Sequence, residues 1–485
     1  MSQSVPIAVE TGERGEAAVP LVVDLDGTLV KSDLLMESFL LLIKANPLHV
    51  FLALVWWCRG KAYLKAEIAR RVDLDVSHLP YNQIFVDFLK LEAATGRPVI
   101  LATGADIRLA RRVADYFGFF HQVLASDGRS NLTGESKLKV LIEACVGGFD
   151  YAGNATADLP VCRRARQVIL VNAGRRLIWS MRASTNLHRV FDDRRPGTLP
   201  WLRAMRPHQW LKNLLLFVPL LTAHLWHQPP KLLAAGIAFL AFSLAASAIY
   251  LVNDLLDLGS DRLHPQKRHR PFAAGEVPIA PGVLFSTLLL GTAIALSTRL
   301  PPLYSAVLLV YVAVAFAYSL YLKRVVIIDV ITLAGLYSIR VVAGAVAIDV
   351  SPSFWLLSFS MFIFFSLALV KRYAELRGLR QGRASARGRD YRRADQGIIY
   401  SMGTASGFLS ILVLALFIRS PELASDYRRP EILWLLCPVL LYWVGRIWVK
   451  AGRGEVHEDP LLFAARDRGS RLVFLLCLVI IMSAQ

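Results

Sequence analysis

After residue 207 the chain returns repeatedly to apolar runs of about 20 residues with few charges, each long enough to cross a bilayer. They fall near 209–226, 231–252, 280–299, 302–322, 325–348, 353–370, 397–418, 431–449 and 470–484, which makes nine candidate spans and an all-α membrane bundle over residues 207–485. An apolar content of 55% suits that reading better than a water-soluble enzyme. The loops after the second, fourth, sixth and eighth spans carry roughly twenty Lys and Arg, the other four about five, and the positive-inside rule sets the basic loops in the cytoplasm. The expected site is the inner (plasma) membrane, with the amino-terminal region cytoplasmic and the carboxyl terminus on the far side. Residues 1–20 lack an apolar core, so no signal peptide is expected. The net charge of +18 is met by basic loops facing anionic lipid and phosphorylated substrates, with no nucleic acid partner. Five scattered cysteines, an odd number, define no disulfide or zinc framework.

Between the second and third spans lies YLVNDLLDLGSDRLHPQKRHRPFAAGE, residues 250–276. On a helix, Asp254, Asp257 and Asp261 share one face, at i, i+3 and i+7. Three carboxylates so placed repel one another unless a cation sits among them, and Mg²⁺ joins carboxylates to substrate phosphates. Asn253 adjoins the trio, and Lys267, Arg268, His269 and Arg270 suit phosphate oxygens. A solvated loop between two membrane helices is the plainer reading, but acids are costly at the end of a membrane segment. The other basic loops repeat the pattern: Tyr321, Lys323, Arg324 and Asp329; Lys371, Arg372, Glu375, Asp390 and Tyr391; His457, Asp459 and Asp467. Arg206, His208, Gln209, Lys212 and Asn213 stand at the mouth of the first span, and Arg340 lies inside the fifth, where a charge is expensive. Singly these are ordinary juxtamembrane charges; together they suit a cytoplasm-facing cavity for metal and phosphates.

Residues 1–19 read as disordered. From residue 20, short apolar runs ending in small or polar residues recur at 20–24, 99–104, 121–128, 149–154 and 167–173, with helical stretches between. That alternation predicts an α/β Rossmann-like domain, a doubly wound parallel sheet with its site at the strand C-terminal ends, over 20–173. Residues 31–95 would form a helical cap. Within it, 47–58 (PLHVFLALVWWC) is too short to span and suits either the membrane surface or the cap core. Residues 174–206 read as a basic linker along the membrane surface.

The DLDGT stretch, with LATG, GESK and GNATAD following in order, resembles the haloacid dehalogenase-like phosphatases. That resemblance implies an aspartyl-phosphate nucleophile at Asp24, an acid/base at Asp26, phosphate contacts from Thr103 and Lys137, and Mg²⁺ held by Asp24, Asp26, Asn154 and Asp158. Asn154 stands where the family usually has an aspartate.

Residues 200–485, through the nine spans and NDxxDxxxD, resemble the UbiA superfamily of intramembrane prenyltransferases. RPHQWLKN, YSLYLKR and VKRYAEL look most like its decaprenyl-phosphate phosphoribosyltransferase branch. The resemblance implies that polyprenyl phosphate takes phosphoribose from phosphoribosyl pyrophosphate, with Mg²⁺ on Asp254, Asp257 and Asp261. Phosphate contacts would come from Arg206, Lys212, Asn213, Asn253, Lys267, Arg268, Arg270, Tyr321, Lys323, Arg340, Lys371 and Arg372. The fusion further implies that the phosphatase-like domain removes the 5-phosphate of the product. The rival readings are a prenyltransferase joining a prenyl diphosphate to an aromatic acceptor, and a non-catalytic membrane scaffold. Self-association into a homo-oligomer stays open.

Overall fold

The computed structural model describes residues 18–182, 184, 186–193, 197–378, 390–420, 427–456 and 459–484. The disorder expected for 1–19 lies, apart from residues 18 and 19, outside them, as does His457. The chain divides into two compact units: residues up to Ala204 together with Asp254–Val283, and Met205–Asn253 together with the chain from Leu284 on. The aspartate-rich stretch therefore belongs to the same unit as the amino-terminal domain.

The first unit is built on six parallel strands, β1 (Leu21–Val23), β2 (Val99–Asp106), β3 (Gln122–Ser126), β4 (Asp150–Gly153), β5 (Val168–Val171) and β6 (Leu187–Phe191). Their order is β3-β2-β1-β4-β5-β6. The register sets Leu21 beside Val99 on one side and beside Asp150 on the other. Central strands apolar on both faces bury both. Leu21, Val23, Val99, Leu101, Ile169 and Val171 pack into one core, and Val22, Ile100, Ala102, Val168 and Leu170 into the opposite one. Strand β6 comes from the stretch expected to be linker, so the sheet continues past residue 173. Its residues 188–190 are exposed, the mark of an edge strand, and the basic composition there concealed it.

Between β1 and β2 the chain inserts α1 (Leu34–Ala45), α2 (His49–Cys58) and α3 (Lys61–Arg71). Asp33 caps α1 by accepting from the Met36 amide at 3.0 Å, and Pro47 follows its end. Helix Gln83–Ala94, expected in the cap, instead sinks Phe85, Val86 and Leu89 into the sheet core.

In the second unit and at its junctions, seven helices among the described residues are long and apolar enough to cross a membrane: Pro229–Leu256, Ile279–Ser297, Pro302–Leu320, Ile328–Ala347, Phe354–Arg377, Arg393–Ile418 and Pro430–Arg453. These are the segments of a multi-pass integral membrane protein. Two of the nine expected spans take other forms. Residues 209–226 hold a 3₁₀ segment, Pro207–Phe217, and a five-residue helix, Val218–Thr222, with Pro207 and Pro219 at their starts. The last stretch is a helix of 17 residues, Arg468–Ala484, about 25 Å long at 1.5 Å per residue and short of a hydrocarbon core of about 30 Å.

Candidate functional site

Asp24 and Asn154 leave the ends of β1 and β4, adjacent strands at the point where the strand order reverses, the usual ligand crevice of such a sheet. Lys137, on helix Glu135–Ala144, reaches across: its Nζ stands 3.0 Å from Asp24 Oδ1, 3.0 Å from Asp158 Oδ1 and 3.1 Å from the Tyr151 hydroxyl. Asp26 accepts from the Leu34 amide, the first residue of α1, at 2.9 Å. Thr103 is fully buried in β2, and its hydroxyl accepts from the Ala105 amide at 3.0 Å. Gly27 has φ +75°, and a Cβ there would meet the Asn154 amide at 1.9 Å, so only glycine admits Asn154 to this crevice. Asn154 Oδ1 is buried without a hydrogen-bond partner.

Burial, reinforced by the neighbouring Asp33 carboxylate, holds the Asp26 carboxyl well above the usual carboxylate range. Burial also raises Asp24, with Lys137 working against it. Lys65 of α3 donates to the Gly104 carbonyl at 2.6 Å and to Asn131 at 2.8 Å. With Asp26, Asp33, Ser38 and Asp106 it lines a small cavity. Nothing in its spacing announced Lys65, because tertiary packing alone brings it in.

The aspartate-rich stretch is not one helix. Helix Pro229–Leu256 stops, Asp257 adopts φ −101° and ψ 11°, and a short helix, Leu258–Arg262, begins. The expected common face is therefore split. Arg270 Nη1 joins Asp254 at 3.0 Å and Asp261 at 2.6 Å, while Asp257 turns to Lys44 of α1, 2.8 Å away. Burial raises the Asp261 carboxyl, with Arg270 opposing. Arg262 grips Glu37 of α1 with two 2.7 Å bonds, both side chains nearly fully buried. Gly275 has φ +71°, and a Cβ there would stand 2.7 Å from Lys31 Cβ. Lys44, Glu37 and Arg262 are site-shaping residues that the sequence did not reveal. Lys267 and Arg268 lie exposed on the turn Lys267–His269. Asn253 Oδ1, like Asn154 Oδ1, is buried without a hydrogen-bond partner.

Among the described residues no three His, Cys, Asp or Glu side chains are grouped so as to hold a metal. Cations stand among the carboxylates instead: Lys137 in the crevice, and Arg270 and Lys44 at the aspartate-rich stretch. The donor chemistry still fits a hard cation, since both places offer carboxylates beside a buried amide oxygen lacking a partner.

In the second unit, Asp459 gathers Lys212 at 2.7 Å, Lys371 at 3.3 Å and the Tyr337 hydroxyl at 2.9 Å. Arg340 donates to Asn213 at 2.8 Å, and Asn213 donates to Ser243 at 2.9 Å. Phe242 and Tyr311 offer their ring faces to the Arg340 guanidinium at 5.2 and 5.1 Å. Four expected contacts, Lys212, Asn213, Arg340 and Lys371, thus fall into two buried clusters. Tyr337, three residues before Arg340 and on the same helix face, was missed, although the i, i+3 spacing carried that signal. Arg372 departs from expectation. Asp329, Tyr318 and Glu375 take its donors and it is 1% exposed, so it locks helices rather than meeting a phosphate. Arg206 lies with its guanidinium 5.4 Å from the Tyr250 ring. Tyr321 is exposed at the end of helix Pro302–Leu320, and Lys323 is half-buried just beyond.

The model of the UbiA prenyltransferase family matches residues 214–448. An uncharacterized protein of Sinorhizobium fredii, y4nM, is 35% identical over 455 residues, 93% of this chain and 88% of that one, so the likeness takes in the amino-terminal region too. The nodulation protein NoeC of Azorhizobium caulinodans is 35% identical over 58% of this chain and 92% of its own length. The decaprenyl-phosphate phosphoribosyltransferase of Mycolicibacterium smegmatis is 30% identical over 56% of this chain and 88% of its own.

Proposed function

Because the chain belongs to the UbiA prenyltransferase family, we propose that its membrane part transfers phosphoribose from phosphoribosyl pyrophosphate to a polyprenyl phosphate, and that its amino-terminal domain then removes the 5-phosphate. The likeness to a phosphoribosyltransferase over most of that relative's length carries this reading over the prenyl-diphosphate alternative. In the first reaction a phosphate oxygen of the lipid bonds to ribose C1 as the C1–O bond breaks and pyrophosphate leaves with the electron pair. The acceptor is already an anion, so no strong base is needed. Mg²⁺ on Asp254, Asp257 and Asp261 beside Asn253, and on Asp24, Asp26, Asn154 and Asp158, would screen the charge of the phosphate groups. Lys267, Arg268 and Arg270, which follow the aspartates in the chain, would meet the pyrophosphate. In the second unit Lys212, Arg340 and the half-buried Lys371 offer positive charge to phosphate groups, and Arg206, Tyr321 and Lys323 are further phosphate contacts in this reading.

In the second reaction Asp24 attacks the 5-phosphate phosphorus. Asp26, whose carboxyl burial holds well above the usual carboxylate range, serves as the acid toward the departing ribose oxygen. Water then hydrolyses the aspartyl-phosphate. Lys137 offsets repulsion between the Asp24 carboxylate and the incoming phosphate, and the buried Thr103 hydroxyl offers a hydrogen bond. Both sites face the cytoplasm in this reading.

The test is purified full-length protein with labelled phosphoribosyl pyrophosphate, polyprenyl phosphate and Mg²⁺, followed by analysis of the lipid fraction. Labelled lipid with pyrophosphate release is expected, and Asp24→Asn should accumulate the 5-phosphorylated lipid at an unchanged rate of synthesis. Product from a prenyl diphosphate and an aromatic acceptor, with none from phosphoribosyl pyrophosphate, would establish the rival. No product from either would leave a scaffold.

A further inference from the structure

Helix α2 packs one narrow side, Ala53 and Trp56, into a small core with Leu42 and Ile68, while Arg71 covers the Trp56 ring at 4.6 Å. The rest of the helix faces outward and is apolar. Phe51 is 64% exposed and Trp57 60%, and Leu48, Leu52, Leu54 and Val55 are exposed with them. A patch of that kind on a soluble domain marks an interaction surface.

Two observations identify its occupant. The first is charge. No aspartate or glutamate occurs between Glu37 and Glu67, whereas Lys44, Arg59, Lys61 and Lys65 do, and Arg59 and Lys61 are exposed just past the helix. Apolar and aromatic residues flanked only by cations suit an anionic lipid surface. The second is position. The unit that contains α2 also contains the points where the chain leaves one membrane helix, at Leu256, and enters the next, at Ile279. Lys44, five residues before α2 begins, sits 2.8 Å from Asp257, the residue directly after that exit. The ion pair therefore ties the last turn of α1, just before α2, to the end of that long apolar helix.

We infer that α2 is an interfacial anchor: its outer face lies in the boundary between headgroups and acyl chains, along the bilayer plane. Ten residues are too few to cross, and a helix lying in this interface sinks about 5–10 Å below the headgroups. The amino-terminal domain is then held on the membrane by its own surface as well as by its covalent tether.

Spin labels on the full-length protein in nanodiscs of mixed anionic and zwitterionic lipid test this. One label goes on the native Cys58, which is exposed, with Cys477→Ser removing another accessible thiol. A second goes on Phe51→Cys in a Cys58→Ser, Cys477→Ser background, and a control on Val146→Cys, a loop position 94% exposed on the same domain. Power saturation should show positions 51 and 58 reached by dissolved oxygen more than by a water-soluble nickel chelate, with the reverse at 146. If position 51 is as open to the chelate as position 146, the anchor does not exist. Dipolar coupling between position-51 labels on two molecules in one disc would show a second copy covering the face, and would overturn the inference equally. Because Cys58 needs no change in α2, misfolding of the Phe51 variant would leave the question decidable.

Discussion

Arg270 bridges Asp254 and Asp261, two carboxylates each only 2% exposed. Removing a buried partner leaves charge uncompensated, a loss of about 3–5 kcal/mol, somewhat less for a guanidinium that keeps part of its surface in water. Arg270→Ala should therefore unfold at lower temperature in chelator, and Mg²⁺ should restore it by a larger margin than it stabilises the unaltered protein. Thermal melts of both proteins with and without Mg²⁺ check this, and equal Mg²⁺ shifts would show that the carboxylates do not take the ion. In the β1–β4 crevice, Asn154 offers a neutral oxygen where a charged ligand would bind Mg²⁺ more strongly. On the proposed phosphatase function, Asn154→Asp should lower the Mg²⁺ concentration for half-maximal phosphate release about tenfold, equivalent to about 1.4 kcal/mol, as read from a Mg²⁺ titration. At this scale contiguous motifs singled out Asp24, Asp26 and the three aspartates, which the structure sets among polar partners. The sequence was silent on Lys44, whose partner lies 213 residues away, because nothing local encodes such a pairing.

Helix α1 begins at the Asp26 crevice and ends at Asp257, and Glu37 in its first turn takes both arms of Arg262. Ser32 donates a further hydrogen bond to Glu37. Glu37→Gln should cost about 3–5 kcal/mol, because it strands Arg262, whereas Glu37→Leu with Arg262→Met should recover much of that loss. Amide hydrogen exchange of α1 in the three proteins measures the difference; a double variant no better protected than the single one would show that the pair does not secure the helix. Elements with a strong period, the central strands and the long apolar helices, were legible. Those that tertiary context decides were not. Strand β6 exposes its middle residues and reads as basic linker, and the break at Asp257 sits inside a stretch whose spacing satisfies a helix.

For the molecule as a whole, the alternation of basic loops predicts a cytoplasmic first unit. A membrane-impermeant maleimide should then label Val146→Cys, in a Cys58→Ser background, in opened cells and leave it unlabelled in intact ones; labelling in intact cells would invert the topology. The composition of this unit also has a consequence in time. Glu37 and Lys44 are completed by Arg262 and Asp257, which follow them in the chain by 225 and 213 residues, with an apolar helix in between. At about 5–20 residues per second a ribosome delivers these partners roughly 10–45 seconds later. Until then the nascent domain holds a carboxylate and an ammonium without the charges that complete them. Helix Pro229–Leu256 has to enter the bilayer before its far end can return to dock, so membrane insertion becomes a step in finishing the amino-terminal domain. A chain whose second apolar segment stalls would leave that domain unfinished and open to proteases, which couples its survival to correct insertion.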